Sequence, residues 1–294
     1  MRTNLPYVSI GLPVYNGERF LTETLDSLLA QTFENFELVI SDNASTDRTQ
    51  EICEDYAAKD RRIRYYRNDQ NLGAARNYNR VFELSTGKYF KWAAHDDLCA
   101  PEYLERCVEV LNQDASVVLC YASTRQIDEH GTILRNFDAK SKLGSSKPRE
   151  RFCECVCVSH PQVPVFGVIR AGILKKTRLI GNYSSSDKVL LGELVLLGRF
   201  YEIPEYLFFK RDHPQQHWMV YPTVCSRQVW YDPAKAGKIT FPHWRLLLEH
   251  FISIKRAPLR WYERTLCCIY LGWWVRLHWR YLAKNLILKE PKES

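Results

Sequence analysis

Hydrophobic and polar positions alternate between two periods over the first 123 residues of this chain. "YVSIGL" (7–12) is a short β-branched apolar run closed by Pro13, which predicts a buried strand. "GERFLTETLDSLLAQ" (17–31) follows, with Phe20, Leu21, Leu25, Leu28 and Leu29 on one helical stripe. The alternation continues with strand "FELVISD" (36–42) and helix "STDRTQEICEDYAAKD" (45–60), opened by the capping residues Ser45, Thr46 and Asp47. Strand "RIRYYRN" (62–68), helix "GAARNYNRVFEL" (73–84) and strand "KYFKWAA" (88–94) come next. Helix "PEYLERCVEVLNQ" (101–113), with Pro101 at its first position, and strand "SVVLCYAS" (116–123) complete the series. Strands and helices joined by short connections predict an α/β fold, a mostly parallel, doubly wound sheet with helices on both faces.

Beyond residue 123 the pattern loosens. "RQIDEHGTIL" predicts a hairpin around His130-Gly131, and "DAKSKLGSSKPRE" (138–150) a polar, mobile surface loop. "VPVFGVIRAGIL" (163–174) returns to strand character, and "SSSDKVLLGELVLLG" (184–198) reads as a helix ending at Gly198. "RFYEIPEYLFFKRDH" (199–213) predicts two short strands, and no internal repeat is evident.

Composition narrows the class. Of 294 residues, 46% are hydrophobic and 26% charged, a globular and not a disordered balance. The net charge is +7, and residues 241–294, with ten Lys/Arg against four Asp/Glu, hold +6 of it. The ten cysteines contain no CxxC pair, which argues against a zinc knuckle, and their spacing is not that of a disulfide framework. Cys153, Cys155 and Cys157 alternate, which predicts one buried face of a strand. The N-terminus lacks a basic segment followed by an apolar run, so no signal peptide is expected, and reduced thiols fit a cytoplasmic location. No GxGxxG follows the first strand, which disfavours a dinucleotide-binding dehydrogenase.

Three strand ends carry conspicuous polar residues: Pro13–Asn16, Asp42–Asp47 and His95–Asp97. In open α/β sheets, ligands bind at such carboxyl ends. The hard oxygens of Asp96 and Asp97 suit Mg²⁺ or Mn²⁺, which combines one or two carboxylates with substrate phosphates. The bland alternative is a cap cluster, but Pro101 stands four residues beyond Asp97. Asp42 suits a base or ribose, or an Asx-turn with Asn43, whereas Asp47 suits a helix cap. Asp187, behind three serines, is either a cap or a rigidly placed general base. His213 is a metal or phosphate contact or a surface histidine, and Arg211 a phosphate fork or a solvated cation.

"VSIGLPVYNGERFLTETLDSLLAQTFENFELVISDNASTDRTQEIC", "NLGAARNYN", "WAAHDDLCAPEYLE" and "SSSDKVLLGELVLLGRFYEIPEYLFFKRDH" together resemble the inverting family 2 nucleotide-sugar glycosyltransferases with the GT-A fold. The resemblance runs from about Tyr7 to about His217. It implies a GT-A-like domain over 1–240, with a nucleotide-binding half (1–123) and an acceptor half (124–240), followed by a basic, Trp-rich helical tail (241–294). It implies that Pro13, Tyr15 and Glu18 form the first nucleotide-binding loop. Asp42 matches the acid that contacts the base, with Asn43, Ser45 and Asp47 completing that turn. Asn71, Gly73 and Arg76 match the lining of the nucleotide-sugar pocket. Asp96 matches the acid that ligates a Mn²⁺ or Mg²⁺ ion on the donor, Asp97 is its neighbour, and His213 matches a basic or metal-contacting position. Asp187 matches the catalytic base.

Two departures stand out. Ala94 replaces the first acid of the usual Asp-x-Asp, and Ser186-Asp187 stands where Glu-Asp is commoner. The implied reaction is a single displacement with inversion, from a nucleoside-diphosphate sugar to a saccharide or lipid-linked acceptor, in cell-surface polysaccharide or glycolipid synthesis. The rival reading, favoured by Ala94, is a catalytically silent nucleotide-sugar-binding module.

Five of the eight tryptophans lie after residue 240. The uncharged stretch Thr265–Val275 is only eleven residues, about half of what a spanning helix needs. Arg276, Arg280 and Lys284 recur at helical spacing. The tail therefore suits either an anionic membrane surface, placing the protein peripherally on the inner face, or packing on the domain or a second subunit. Nucleic acid is the weaker partner, because no recognisable binding motif accompanies the charge.

Overall fold

The computed structural model describes residues 5–137, 141–158, 163–238 and 240–287. β1 (Val8–Val14) is buried along its whole length and runs on through Pro13, which the sequence had suggested as its end. α1 (Leu21–Leu29), β2 (Phe36–Asp42), α2 (Thr49–Lys59), β3 (Ile63–Arg67), α3 (Ala74–Glu83) and β4 (Tyr89–Trp92) follow in the predicted alternation. β2 and β4 flank β1 in parallel, and β3 joins β2 in parallel. Gly11 permits the close seat of α3 on this sheet, because a β carbon there would stand 2.7 Å from Val81 and 2.8 Å from Phe90.

The second half is more irregular. β5 (Leu98–Cys99) is a two-residue strand. α4 (Tyr103–Gln113) starts two residues after Pro101, and β6 (Val117–Ile127) turns into β7 (Ile133–Phe137) through the expected hairpin, with Gly131 at φ 84°. Then come α5 (Pro148–Cys157), β8 (Val168–Arg170), α6 (Ala171–Leu174), α7 (Ser186–Leu197) and β9 (Arg199–Arg211), followed by α8 (His217–Val220) and α9 (Val224–Tyr231). The strand order is β3-β2-β1-β4-β8-β6-β9-β5, with β7 on β6. Long parallel ladders link β3 to β4 through β2 and β1, and link β6 to β9. Shorter antiparallel joins run through β8, β5 and β7. This is the mixed, mostly parallel sheet that the sequence pattern implied, with a hydrophobic cluster on each face.

Three sequence expectations are corrected. Cys153, Cys155 and Cys157 lie on α5, not on a strand. Pro148 opens that helix, and Arg151 is buried from it, donating to Val195 O at 2.7 Å and Ser145 O at 2.8 Å. The 163–174 stretch holds only a three-residue strand between a 3₁₀ turn and α6. The 199–211 stretch is one strand and not two: Ala122 pairs with Ile203 and Ser123 with Tyr206, so Pro204 and Glu205 bulge out. Proline has no N–H to offer the ladder. Of the predicted 138–150 loop, residues 138–140 lie outside the described residues, Lys142–Gly144 forms a 3₁₀ turn, and Leu143 is buried.

The tail forms α10 (Pro242–Arg256) and α11 (Trp261–Ile287). α10 packs on α7, and α11 packs on α5 and α10. Cys267, Leu271, Trp274 and Leu282 share one hydrophobic cluster with Phe152, Leu190 and Leu194. One face of the tail is therefore part of the core. No helix among the described residues is long and apolar enough to cross a membrane.

At the sheet edge remote from the strand ends singled out above, Glu37 receives Ser9 Oγ at 2.6 Å, Thr86 N at 2.8 Å and Arg64 Nη1 at 2.7 Å. Burial raises its pKa, but the Ser9, Arg64 and Thr86 hydrogen bonds outweigh burial and hold it below the ordinary value. Glu37→Ala is expected to lose about 3 kcal/mol in urea unfolding. A carboxylate lowered by folding stabilises above its unfolded pKa, so the deficit should shrink as pH falls through Glu37's folded value.

Candidate active site

The parallel register sets Val14 beside Asp42 and Gly11 beside Trp92, so the loops after β1, β2 and β4 leave the same sheet edge. Three non-glycine residues in loops around this edge hold left-handed backbone: Asn16 at φ 50°, Ala44 at φ 63° and Ser185 at φ 64°. Such conformations persist only where their surroundings over-determine them. Here the first two loops are stitched together. Asn16 N donates to Ser45 Oγ at 2.9 Å, Gly17 N to Thr49 Oγ1 at 2.8 Å and Thr46 N to Asn16 Oδ1 at 2.8 Å. Glu18 N donates to Asp47 Oδ2 at 3.1 Å, and Arg48 N to Glu18 Oε2 at 2.9 Å. Glu18, Ser45 and Asp47 thus brace the loops. Pro13 is buried in β1, and Tyr15 is exposed beside them.

Asp42 is fully buried. Its Oδ1 accepts Ser45 N at 2.8 Å, its Oδ2 accepts Tyr65 OH at 2.9 Å, and Arg67 Nε stands 3.7 Å away. Its oxygens face protein groups on both sides. Asn43 extends the network: its Nδ2 donates to Asn71 Oδ1 at 2.9 Å, and its Oδ1 accepts Asn68 Nδ2 and Leu72 N. Asn71 Oδ1 also accepts Gly73 N at 2.8 Å, and Arg76 is exposed on the first turn of α3. Gly73 sits at φ 81°, and a β carbon there would lie 2.6 Å from Pro233 Cδ and 2.7 Å from Tyr231 O. Glycine therefore lets the end of α9 close on the start of α3. Gly73→Ala is expected to cost about 1–3 kcal/mol from backbone strain and collision, measured by urea unfolding.

Asp96 and His213 meet: His213 Nε2 and Asp96 Oδ2 are 2.9 Å apart, with the carboxylate slightly open to solvent and the imidazole buried. His213 packs on Phe20 at a ring distance of 4.6 Å, and its Nδ1 has no partner among the described residues. Asp97 is buried, and its Oδ1 accepts Arg211 N at 2.9 Å. Arg211 is neither a phosphate fork nor solvated, as the sequence had suggested. It is 1% exposed and donates to Asp96 O at 3.0 Å, Glu129 O at 3.0 Å and Glu23 Oε2 at 2.6 Å, a scaffold that aims both acids. Burial raises the Asp96 pKa, but the charges of His95 and His213 and the His213 hydrogen bond lower it further, leaving it below the ordinary value. Burial and the Asp96 charge push Asp97 up. One of the pair is thus held ionised and the other resists ionisation.

The donor set fits a divalent cation only in part. Asp96 would offer a carboxylate oxygen and His213 a ring nitrogen, and the two hydrogen-bond each other at 2.9 Å. No group of three His, Cys, Asp or Glu side chains among the described residues could hold an ion. Asp97, expected as a third ligand, has one carboxylate oxygen taken by Arg211 N, and Ala94 supplies no side-chain oxygen. Further ligands of such an ion would come from water and substrate phosphates.

Asp187 lies in the first turn of α7, directed by the Ser185 turn. Burial pushes its carboxyl up, partly offset by the charges of Lys188 and Lys210 and by backbone N–H groups. Tyr78 joins this acid to the others. Its phenol is raised by burial and then by the charges of Asp96, Asp97 and Asp187, so one side chain lies within electrostatic reach of all three. The Lys210 charge likewise acts on both Asp97 and Asp187. Asp96, Asp97 and Asp187 are thus within electrostatic reach of one side chain, while Asp42 is fully buried behind the neighbouring loops. The sequence reading did not single out Tyr78 or Lys210. The only signal was their position inside the quoted stretches "NLGAARNYN" and "LFFKRDH".

Residues 9–176, more than half of the chain, match the family described as "Glycosyl transferase family 2". The matched segment ends before Asp187. An uncharacterized glycosyltransferase of Rickettsia felis is 38% identical over 146 residues, covering 48% of this chain and 23% of that protein. The chain spans only 23%, 39% and 59% of the first three curated relatives it matches. Among solved structures, S. aureus TarS in complex with UDP-GlcNAc superposes with a TM-score of 0.69 at 17% identity, covering 96% of this chain and 76% of that one. A mannosyltransferase of Pyrobaculum calidifontis, in complex with GDP-Man and Mn²⁺, superposes with a TM-score of 0.55 at 16% identity, covering 98% of this chain and 89% of that one. At these identities the structures speak for the fold.

Proposed function

The chain belongs to glycosyl transferase family 2 and is a glycosyltransferase, and we propose that it transfers the sugar of a nucleoside-diphosphate sugar to an acceptor hydroxyl with inversion. The observation that carries this reading is the Asp96–His213 pair just beyond the carboxyl end of β4, with Asp97 held beside it; the electrostatic reach of Asp96, Asp97 and Asp187 to Tyr78 supports it. The nucleoside is assigned to the braced loops of Pro13, Tyr15, Glu18 and Asn43, with Asn71, Gly73 and Arg76 along its rim. Asp42 acts by holding the Ser45 turn and Tyr65 in place. The diphosphate is assigned to the Asp96–His213 side. Asp96, with His213 beside it, would hold a Mn²⁺ or Mg²⁺ ion, which would supply charge neutralisation for the leaving diphosphate. Asp187 faces the other side and removes the acceptor's proton as its oxygen bonds to the anomeric carbon and the bond to the diphosphate breaks. A carboxyl whose pKa is raised by burial is the better base. Two fold neighbours hold UDP-GlcNAc and GDP-Man, which supports a nucleotide sugar as donor. The acceptor class is a saccharide or lipid-linked hydroxyl in surface polysaccharide or glycolipid synthesis.

The test is a panel of UDP- and GDP-sugars incubated with the full chain and Mn²⁺, following nucleoside-diphosphate release and the product anomer by NMR. Cation-dependent release and an inverted product are expected. A retained anomer contradicts the single displacement. A donor that raises the melting temperature but is never turned over with any acceptor supports the silent module instead.

A further inference from the structure

We propose that the outward face of α10 and α11 is a docking surface for an anionic lipid bilayer. The helix pair is apolar on two sides. Its inner side is the core face already described. Its outer side exposes Trp261 at 78%, Trp273 at 64% and Leu277 at 60%, with Trp279 and Tyr281 alongside. The neighbours Trp273 and Trp274 show the division, one out in solvent and the other buried and stacked on His278. α10 adds Phe241, Trp244, Leu248 and Phe251 at helical spacing, all exposed. The two outer stripes meet at one end, where Trp244 Nε1 donates to Leu282 O at 3.1 Å and His243 stacks on Tyr281. Single exposed hydrophobics need no explanation, but a continuous aromatic face does.

Charge selects the occupant. Every Lys and Arg of residues 241–287 is exposed. The two acids in the same span, Glu249 and Glu263, are buried, paired with Arg178 and Arg245, and with Arg149. Lys255, Arg260, Arg264, Arg276, Arg280 and Lys284 have no carboxylate partner among the described residues. The face is therefore aromatic and cationic with no exposed acid. A second copy of the same face would set cation against cation. A bilayer with anionic headgroups offers what both features need, an interfacial layer for the rings and negative charge for the guanidinium groups. The helices lie on such a surface and do not cross it.

The experiment is co-sedimentation of the full chain with vesicles of phosphatidylcholine alone or mixed with phosphatidylglycerol, at low and high salt. Two double variants at exposed positions accompany it, Arg276→Glu/Arg280→Glu and Trp273→Ser/Leu277→Ser, with unchanged melting temperatures as the folding control. Binding is expected to phosphatidylglycerol vesicles, weakened by salt and at least about tenfold weaker in the charge-reversed variant. The Trp273→Ser/Leu277→Ser variant is also expected to bind more weakly. No binding at low salt, full binding by both variants, or a stable dimer through this face that ignores vesicles would overturn the proposal. No sugar donor is present, so failed transfer and failed docking are read separately.

Discussion

Asp187→Asn should abolish most sugar transfer, lowering kcat by about 10²- to 10⁴-fold, the range for loss of a general base. Donor binding should change by no more than about twofold, because the substitution is isosteric and the diphosphate is assigned to the Asp96 side. The same variant should be slightly more stable than the native chain. Burial raises the Asp187 carboxyl above its unfolded value, so its charge opposes folding once pH exceeds the unfolded pKa. The asparagine should therefore raise the melting temperature by about 1–3 °C at neutral pH, with the gain disappearing in acid, where both states of the native chain are protonated. A purely structural helix cap predicts the reverse, a loss of stability with activity reduced only in proportion. Kinetics and a thermal melt at two pH values separate the two roles.

Asp96→Asn should lower kcat/KM for the donor by about 10²- to 10³-fold, as expected when charge stabilisation of a leaving diphosphate is lost. It should also remove the Mn²⁺-dependent part of any donor-induced thermal shift. His213→Ala should follow in the same direction, since the pair stands 2.9 Å apart and no third donor among the described residues can substitute. Asp97→Asn is the control. An amide oxygen can still accept Arg211 N, and burial with the Asp96 charge already disfavours ionisation there. Its loss should stay within about tenfold, so the two adjacent acids should behave differently despite equal chemistry.

The first 123 residues were legible because most of their strands are buried and their helices carry an apolar face, so local period reports tertiary position. β1 and α1 needed nothing beyond the spacing of Val8, Ile10, Leu12, Leu21, Leu25 and Leu28. The region after residue 123 was not, because its elements are too short to show a period. β8 has three residues and α6 four. The cysteine triplet imitated a strand because every second residue of a helix can carry the same amino acid without sharing a face. β9 looked like two strands because Pro204 interrupts one.

At the site, residue types were legible and occupancy was not. Asp42 reads as a ligand until Tyr65, on the adjacent strand, is seen to hold its second oxygen. Arg211 reads as a surface cation until Glu23, Glu129 and Asp96 enclose it. The roles of Tyr78 and Lys210 depend wholly on packing between distant elements.

The most direct measurement is a crystal structure of the full chain with a nucleoside diphosphate and Mn²⁺, read through the manganese anomalous signal. The account predicts a single peak within bonding distance of Asp96 and His213, with the diphosphate beside it and the Asp187 carboxylate facing the opposite side of the donor pocket. A peak on other ligands, or a nucleotide seated away from Tyr78, would contradict it.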